Sequence, residues 1–447
     1  MRLILASALP LMLGNAFQQM YTMADASVVG RGVGLAALAA LGSADWFNWL
    51  FVSIAQGLAH GFSLPVARLF GAKDHKALRR YAGSAATLGM ISAAVVTALA
   101  LAAIRPVLAW MGTPAEVRPV AAGYLTIIFS GLPAVMASSL LAGMLRALGD
   151  SRSPLMAMTA ASLVNILLDL LFVLCFGWGV NGAAAATVIA QVLSCVLCLL
   201  RLRRVPFMRL ARSDLGFDRK RFGDLLRLGL PVSGQNCVIA VGGMIVQSVV
   251  NGMGVAFIAG YTAASRLYGL LEIAAVSYGY ALASYAGQNL GARRPDRLRS
   301  GLRAGVASGV GTALVIAALM LIFGRSILSL FIDASPRAGE ALEAAVRFLR
   351  LMALCLPILY VLHVYRSALQ GMGNTVTPMI SGLAELLMRT GAALLLPGLI
   401  GPSGVFWAEI LAWLGADMIL IPSCHMMLRR LSRVNPGCVD SGGGGAL

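Results

Sequence analysis

The sequence is poor in charged residues. Only 12% of its 447 residues are Asp, Glu, Lys or Arg, against about 25% in soluble domains. Hydrophobic residues make up 59% and are spread along almost the whole chain. That distribution excludes a soluble enzyme, a disordered chain and a soluble domain with a single membrane anchor. Because one span takes about 20 residues plus its connection, the length predicts an all-α polytopic membrane protein of about twelve spans.

Residues that bind metals or act as nucleophiles are also scarce. The four histidines are scattered along the chain and form no ligand set. Cys195 and Cys198 have no second cysteine pair or histidine nearby, and they are interpreted as small buried hydrophobic residues. A membrane-embedded enzyme would need a metal-ligand set or a nucleophile–base pair. We therefore expect no enzymatic activity, no cofactor and no metal site other than one for Na⁺.

The net charge of +17 would suggest nucleic-acid binding in a soluble protein. Here the basic residues are sorted between alternate loops. Twenty-five Lys and Arg fall on one predicted side, seven fall on the other, and three lie within spans. Cytoplasmic loops of membrane proteins hold the excess of Lys and Arg, so both termini are predicted to be cytoplasmic. A nucleic-acid partner is not expected. The Arg- and Ala-rich composition suggests a bacterial protein, which would lie in the cytoplasmic (inner) membrane.

The two halves of the chain resemble each other. Leu9-Pro10 matches Leu230-Pro231, and residues 146–154 match residues 370–378 with a similar offset. Each half holds six predicted spans, so the repeats are parallel, as in two-lobed transporters. The predicted organisation is an N-lobe at 1–200, a cytoplasmic connector at 201–225, a C-lobe at 226–430 and a cytoplasmic tail at 431–447. Since the pseudo-symmetry lies within one chain, we expect a monomer.

Polar residues inside three spans of the N-lobe define a candidate cation site. By helical rise, Asp25, Asp169 and Thr187 lie at about the same depth below one membrane surface. Asn165 lies one turn from Asp169 on the same helical face. Because an intramembrane carboxylate costs about 2.5–3.5 kcal/mol on insertion scales, this oxygen-rich cluster suits Na⁺ or an Asp that takes up H⁺. The alternative is two separate aspartates that line a wet vestibule.

Other intramembrane residues allow two interpretations each. Glu385 and Arg389, spaced i,i+4, form either a buried ion pair that holds the C-lobe together or a coupling or substrate site. Pro10 and Pro133 predict helix kinks, which are either static or bending points. The candidate residues for a substrate-binding cavity are Gln18, Gln19, Met20, Asn48, Gln56, Gln191, Gln235 and Glu272.

Several short motifs, in a fixed order, resemble the multidrug and toxic compound extrusion (MATE) transporters over nearly the full chain. In the first half they are Pro10 followed by Asp25, Gly71-Ala72-Lys73-Asp74, Asn165-x-x-x-Asp169 and the run from Gly179 to Thr187. In the second half they are Gln288-Asn-Leu-Gly-Ala292, Gln370-Gly-x-Gly-Asn374 and Glu385-x-x-x-Arg389. The N-lobe set is similar to the DinF-like bacterial branch.

This resemblance implies a fold of twelve helices in two pseudo-symmetric six-helix lobes (the MATE or MOP-type fold). It implies export of organic, often cationic, drug-like compounds in exchange for H⁺ or Na⁺. The family's proposed cation site falls on Asp25, Asn165, Asp169 and Thr187, and its bending proline falls on Pro10. The alternative function is that of a lipid-linked saccharide flippase of the same superfamily, which would usually have more spans and a strongly basic cavity.

Overall fold

The computed structural model describes residues 8–15, 17–19, 35–110, 118–329 and 338–434. Two of the predicted site residues, Asp25 and Met20, lie outside these residues. The described chain is helical apart from short connections, and it contains no strand. The all-α prediction is therefore confirmed for this part of the chain.

The helices follow each other in sequence with short connections. Residues 8–15 and 17–19 are helical and are called α1. The others are α2 (Leu35–Gly71), α3 (His75–Trp110), α4 (Arg118–Ser130), α5 (Leu132–Ala147), α6 (Arg152–Asp169), α7 (Gly179–Arg203), α8 (Arg219–Asn251), α9 (Val255–Gly291), α10 (Pro295–Ser329), α11 (Ala338–Gly371), α12 (Val376–Ile400) and α13 (Trp407–Val434).

Most of these helices are suited to a bilayer. Among the described residues, nine are long and apolar enough to cross a membrane, or ten if α4 and α5 count as one bent span. α9 is 37 residues long but lies outside this set, because its tyrosines, serines and Glu272 lower its hydropathy. With α9 and the start of the first span in α1, the architecture is consistent with the twelve predicted spans.

The predicted fourth span is broken rather than continuous. α4 ends at Ser130, α5 begins at Leu132, and the two are bent by 40°. Pro133 lies at the start of α5, where its missing N–H costs no helical hydrogen bond. Val188 lies within 2.5 Å of the position that a Cβ on Gly131 would occupy. Glycine at the break therefore lets this bend pack closely against α7.

The helices contact one another in two compact units whose boundaries fall inside helices. The first unit comprises Leu9–Val66 and His75–Ala240, and the second comprises Met1–Ala8, Ala67–Asp74 and Val241–Leu447. Within the first unit, Ser233 of α8 donates a hydrogen bond to the carbonyl of Ile54 at 3.3 Å, and Asn236 donates one to that of Ser53 at 3.0 Å. The lobe boundaries at 1–200 and 226–430 stay a prediction.

The connector after α7 is held against α3 within the first unit. Two short 3₁₀ turns at Pro206–Met208 and Arg212–Leu215 lie in it. Asp214, which is 2% exposed, pairs with Nε of Arg79 at 2.7 Å and accepts the Ala211 amide at 2.9 Å. Thr87 also donates to the carbonyl of Leu215 at 2.9 Å. The first part of the predicted connector is thus an ordered segment fixed to one helix.

Candidate functional site

The polar residues of α6 lie on its buried face. Asn165 is 0% exposed and Asp169 is 1% exposed, whereas Leu163 and Leu167 are 57% and 65% exposed. Since Asn165 and Asp169 are four residues apart, they share one helical face. α6 thus turns its leucines outward and its polar groups inward, as expected for a helix with lipid on one side.

The helix changes its hydrogen-bonding pattern directly after Asp169. Residues Leu170–Cys175 form a π-helical turn, and such turns often occur at functional sites because they shift the helical register. α7 then begins at Gly179. Gly177 and Gly179 both have positive φ values, +68° and +59°, which other residues rarely adopt. This tight connection returns the chain so that α7 packs along α6.

The structure brings Asn165 and Thr187 together across α6 and α7. Nδ2 of Asn165 donates a hydrogen bond to Oγ1 of Thr187 at 3.5 Å. Oδ1 of Asn165 is buried and has no hydrogen-bond partner among the described residues. Asp169 is one turn further along the same buried face. Three of the four predicted cation-site residues therefore lie on two packed helices, and the fourth, Asp25, is outside the described residues.

The chemistry of this site is that of oxygen ligands. α6 carries a carboxyl group and an amide carbonyl on one face, α7 adds the hydroxyl that contacts the amide, and oxygen is the ligand type that hard cations prefer. Among the described residues, no group of three or more His, Cys, Asp and Glu side chains is placed to hold a metal ion. The donor set therefore fits H⁺ or Na⁺ better than a transition metal.

A second group of polar residues is buried within the second unit. Arg389 of α12 pairs with Glu409 of α13 at 2.8 Å, and Glu385 of α12 pairs with Arg366 of α11. The predicted i,i+4 pair of Glu385 and Arg389 is thus replaced by two pairs between helices. Each side chain points to a charged residue on a neighbouring helix, because the charges of α11 and α13 are closer than the next turn of α12.

This group includes further titratable residues, and we call the whole set the C-terminal polar cluster. It consists of Glu272, His363, Arg366, Glu385, Arg389, Glu409 and Asp417. Nε2 of His363 lies 3.6 Å from Glu272, and the charge of Arg366 interacts with those of Glu272 and Asp417. Of these residues, Glu272, Glu385 and Arg389 could be singled out from the sequence, whereas their partners could not. His363 could not be identified from the sequence as a functional candidate, since a lone histidine in an apolar run forms no periodic pattern.

Comparisons with known proteins identify the family of this chain. The MatE family profile matches residues 10–171 and 231–393, more than two thirds of the sequence and both of its halves. The chain belongs to the MatE family. Membership in this family of multidrug efflux transporters places the chain among membrane transporters, and it confirms the resemblance based on short motifs.

Individual relatives of this MatE protein agree with that assignment. The probable multidrug resistance protein YoeA of Bacillus subtilis is 30% identical over 333 residues, 72% of each chain. The DNA damage-inducible protein F of Escherichia coli is 25% identical over 328 residues, 72% of this chain and 71% of that protein. A crystal structure of MATE in complex with MaL6 has a TM-score of 0.90 at 24% identity, covering 96% of this chain and 97% of that one. This last likeness shows the fold.

The candidate cavity residues of this MatE protein lie on several helices. In the first unit, Gln18 and Gln19 of α1 and Asn48 of α2 are half-buried, while Gln56 of α2 is exposed. Also in this unit, Gln235 of α8 is 2% exposed, and Oε1 of Gln191 of α7 accepts a hydrogen bond from Ser138 at 3.1 Å. Glu272 of α9 lies in the second unit and belongs to the C-terminal polar cluster. Pro10 is half-buried within helical residues 8–15.

Proposed function

We propose that the protein is a secondary active multidrug efflux antiporter. It exports drug-like organic compounds, often cationic, in exchange for H⁺ or Na⁺ by alternating access. The observation that carries this proposal is the buried face of α6 with the Asn165 amide and the Asp169 carboxyl group, beside which lies the half-buried hydroxyl of Thr187 on α7. Together with Asp25, these residues form the cation site. Membership in the MatE family supports the transport of small molecules.

Coupling follows from the cost of a bare carboxylate away from water. Burial disfavours the charged form of an acid, so a carboxyl group in this site is stabilised by H⁺ or by a Na⁺ ion with oxygen ligands. Cation loading changes the shape of the N-lobe, with Pro10 as a bending point, and displaces the drug. A cation entering down the membrane potential supplies about 2.3 kcal/mol per charge per 100 mV. For one cation exchanged against a neutral compound, 100 mV supports a concentration ratio of roughly fifty. One-for-one exchange against a monovalent cationic drug moves no net charge, so the concentration gradient of the driving cation supplies the free energy.

The C-terminal polar cluster supports a cationic substrate class. It holds four carboxyl groups and two guanidinium groups, and both guanidinium groups have a carboxylate partner. A lipid-linked saccharide carries phosphate groups and would need basic residues available to bind them. The described arrangement therefore supports an exporter of cations over the alternative flippase. We propose the bacterial inner membrane as its location, with cytoplasmic termini and a monomeric state.

The test is transport by the purified protein in vesicles with an imposed gradient. Wild-type protein, Asp169→Asn and the control Asp296→Asn are reconstituted with a fluorescent cationic dye. The control makes the same chemical change at an exposed residue in the first turn of α10. Dye movement is followed after a pH gradient, a Na⁺ gradient or no gradient is imposed.

We expect wild type and the Asp296→Asn control to move dye against its gradient under one of the two ion gradients. Asp169→Asn is expected to lose this driven movement and to keep normal insertion and a normal elution profile in detergent. Driven transport by Asp169→Asn at the wild-type rate would contradict the site assignment. Dye movement that no ion gradient changes would contradict antiport itself.

A further inference from the structure

A basic groove lies at one end of the second unit. It has a volume of about 470 Å³ and is formed by α10, α11 and α13. Its lining residues are Arg299, Leu302, Arg303, Val306, Ala307, Tyr365, His425, Leu428 and Arg429. The proposed transport cycle assigns no role to this groove.

The charged side chains of the groove all have the same sign. Arg299 and Arg303 are one turn apart on α10, and Arg429 lies on α13. Nη2 of Arg299 donates to Oγ of Ser432 at 2.6 Å, which ties the two helices together at this end. Among the described residues, none of these three arginines has a carboxylate within 4.0 Å, and no acidic residue lines the groove. The groove is therefore complementary to an anion.

The floor of the groove is apolar, and an apolar stripe of α10 begins at its edge. Leu302, Leu428 and Tyr365 are 5%, 4% and 9% exposed and form the floor. From Arg303, exposed residues recur along one face of α10 at helical spacing, and they are Ala307, Gly311, Leu314 and Ala318. An acyl chain can lie on this stripe while the group attached to it reaches the arginines. A free phosphate ion would contact only the arginines and would leave the apolar stripe uncovered.

The depth of the groove matches that of lipid headgroups. Arg299 is four residues from the start of α10, so it lies about 6 Å along the helix. Arg429 is five residues from the end of α13. The charge distribution predicts that this side is cytoplasmic, and the cytoplasmic leaflet carries anionic lipids that attract basic residues. Basic pockets between helices on that side bind anionic headgroups in other membrane proteins.

We propose that an anionic phospholipid of the cytoplasmic leaflet binds in the groove between α10, α11 and α13. Its phosphate contacts Arg299, Arg303 and Arg429, and one acyl chain follows the apolar stripe of α10 that begins at Ala307. The lipid bridges α10 and α13 and stabilises the second unit. This site is separate from the proposed cation site and does not depend on the transport function.

The test is lipid retention by the purified full-length protein, measured by native mass spectrometry and by titration of thermal stability in detergent. The probes are phosphatidylglycerol, phosphatidylethanolamine with the same acyl chains, and inorganic phosphate. The variants are Arg299→Gln combined with Arg303→Gln, and the matched control Arg293→Gln combined with Arg294→Gln. The control removes two arginines on the same predicted side that do not line the groove. Arg303→Lys retains the charge.

We expect phosphatidylglycerol to bind and raise the melting temperature, and phosphatidylethanolamine and phosphate to have little effect. The double groove variant should weaken binding of phosphatidylglycerol roughly 30-fold, given about 1 kcal/mol for each basic residue near an anionic surface. The control and Arg303→Lys should bind phosphatidylglycerol as wild type does.

Equal weakening of binding in the control and groove variants, or equal stabilisation by phosphate and lipid, would overturn the proposal. Unchanged binding of phosphatidylglycerol by the double groove variant would also overturn the proposal. Elution profiles and lipid-free melting temperatures establish that each variant is folded.

Discussion

Asn165 of α6 donates a hydrogen bond from Nδ2 to Oγ1 of Thr187 on α7, at 3.5 Å. Because its amide nitrogen is used in this way, its carbonyl oxygen Oδ1 is left as a buried acceptor without a partner among the described residues. The bond links α6 to α7, and it leaves this oxygen available on the helix face that also carries Asp169. The proposed cation site is thus held in place by a hydrogen bond between two uncharged side chains, those of Asn165 and Thr187.

Thr187→Val should weaken cation coupling. Valine keeps the shape of threonine but removes the hydroxyl oxygen, which is both the partner of Asn165 and a proposed ligand. Leaving a buried polar group without its partner costs about 1–3 kcal/mol, so the apparent affinity for the driving cation should fall by about tenfold. The initial rate of dye export at increasing cation concentration measures this. Thr187→Ser, which keeps the hydroxyl, should remain near wild type; equal affinities for all three proteins would contradict a role for the hydroxyl.

Gly61→Ala should destabilise the contact between α2 and α8 in the first unit. A Cβ on Gly61 would lie against the backbone of Gly229, with the amide nitrogen of Gly229 only 2.8 Å away. Small residues at such sites let helix backbones approach closely. Overpacking of this kind costs about 1–3 kcal/mol, so the melting temperature in detergent should fall. Gly223→Ala on α8 is the matched control, because a Cβ there meets nothing within 4 Å. A larger loss in the control would contradict the described packing.

Glu409→Gln should destabilise the second unit because Arg389 would lose its carboxylate partner. The Arg389 side chain is 7% exposed and that of Glu409 is 18% exposed, and breaking a buried ion pair by removing one partner costs about 3–5 kcal/mol. Arg389→Met and the double variant Glu409→Gln/Arg389→Met complete a double-mutant cycle. The double variant should be less destabilised than the sum of the two single changes. Additive losses in thermal stability would show that the pair is not coupled.

Asp214→Asn should loosen the connector from α3. This change removes the charge that pairs with Arg79 and weakens the acceptor of the Ala211 amide. Trypsin should then cleave after Arg209 or Arg212 several times faster than in wild type, since cleavage needs local opening. Limited proteolysis of protein in detergent, followed by mass spectrometry, measures the rate. Asp296→Asn, an exposed aspartate outside the connector, should leave cleavage at these sites unchanged. Wild-type cleavage of Asp214→Asn would mean that this contact does not hold the connector.

The face of α6 could be predicted from the sequence because its pattern is local. Asn165 and Asp169 are one helical turn apart in an apolar run, so their common face follows from helix geometry, and burial follows from the cost of polar groups in lipid. The position of Thr187 followed from counting residues inward from the start of its helix. These inferences need only the helical rise and the direction of each span.

The partners of buried charges could not be predicted in the same way. Glu385 and Arg389 have the right spacing for a pair within α12, yet Arg366 and Glu409 from neighbouring helices are their partners. Which helix faces which is decided by tertiary packing, which one sequence does not reveal. The basic groove could not be predicted from the sequence for the same reason. Arg299 and Arg429 are 130 residues apart and meet only through the packing of α10 and α13.

The most direct test of the account is the movement of the coupling cation driven by substrate alone. Purified protein is reconstituted in vesicles loaded with a cationic substrate, with no ion gradient and the membrane potential clamped, and internal pH and Na⁺ are recorded after dilution. We expect substrate efflux to drive H⁺ or Na⁺ into the vesicles, and we expect Asp169→Asn to abolish this inward movement while Asp296→Asn does not. Substrate efflux through the wild-type protein with no movement of either cation would contradict the account.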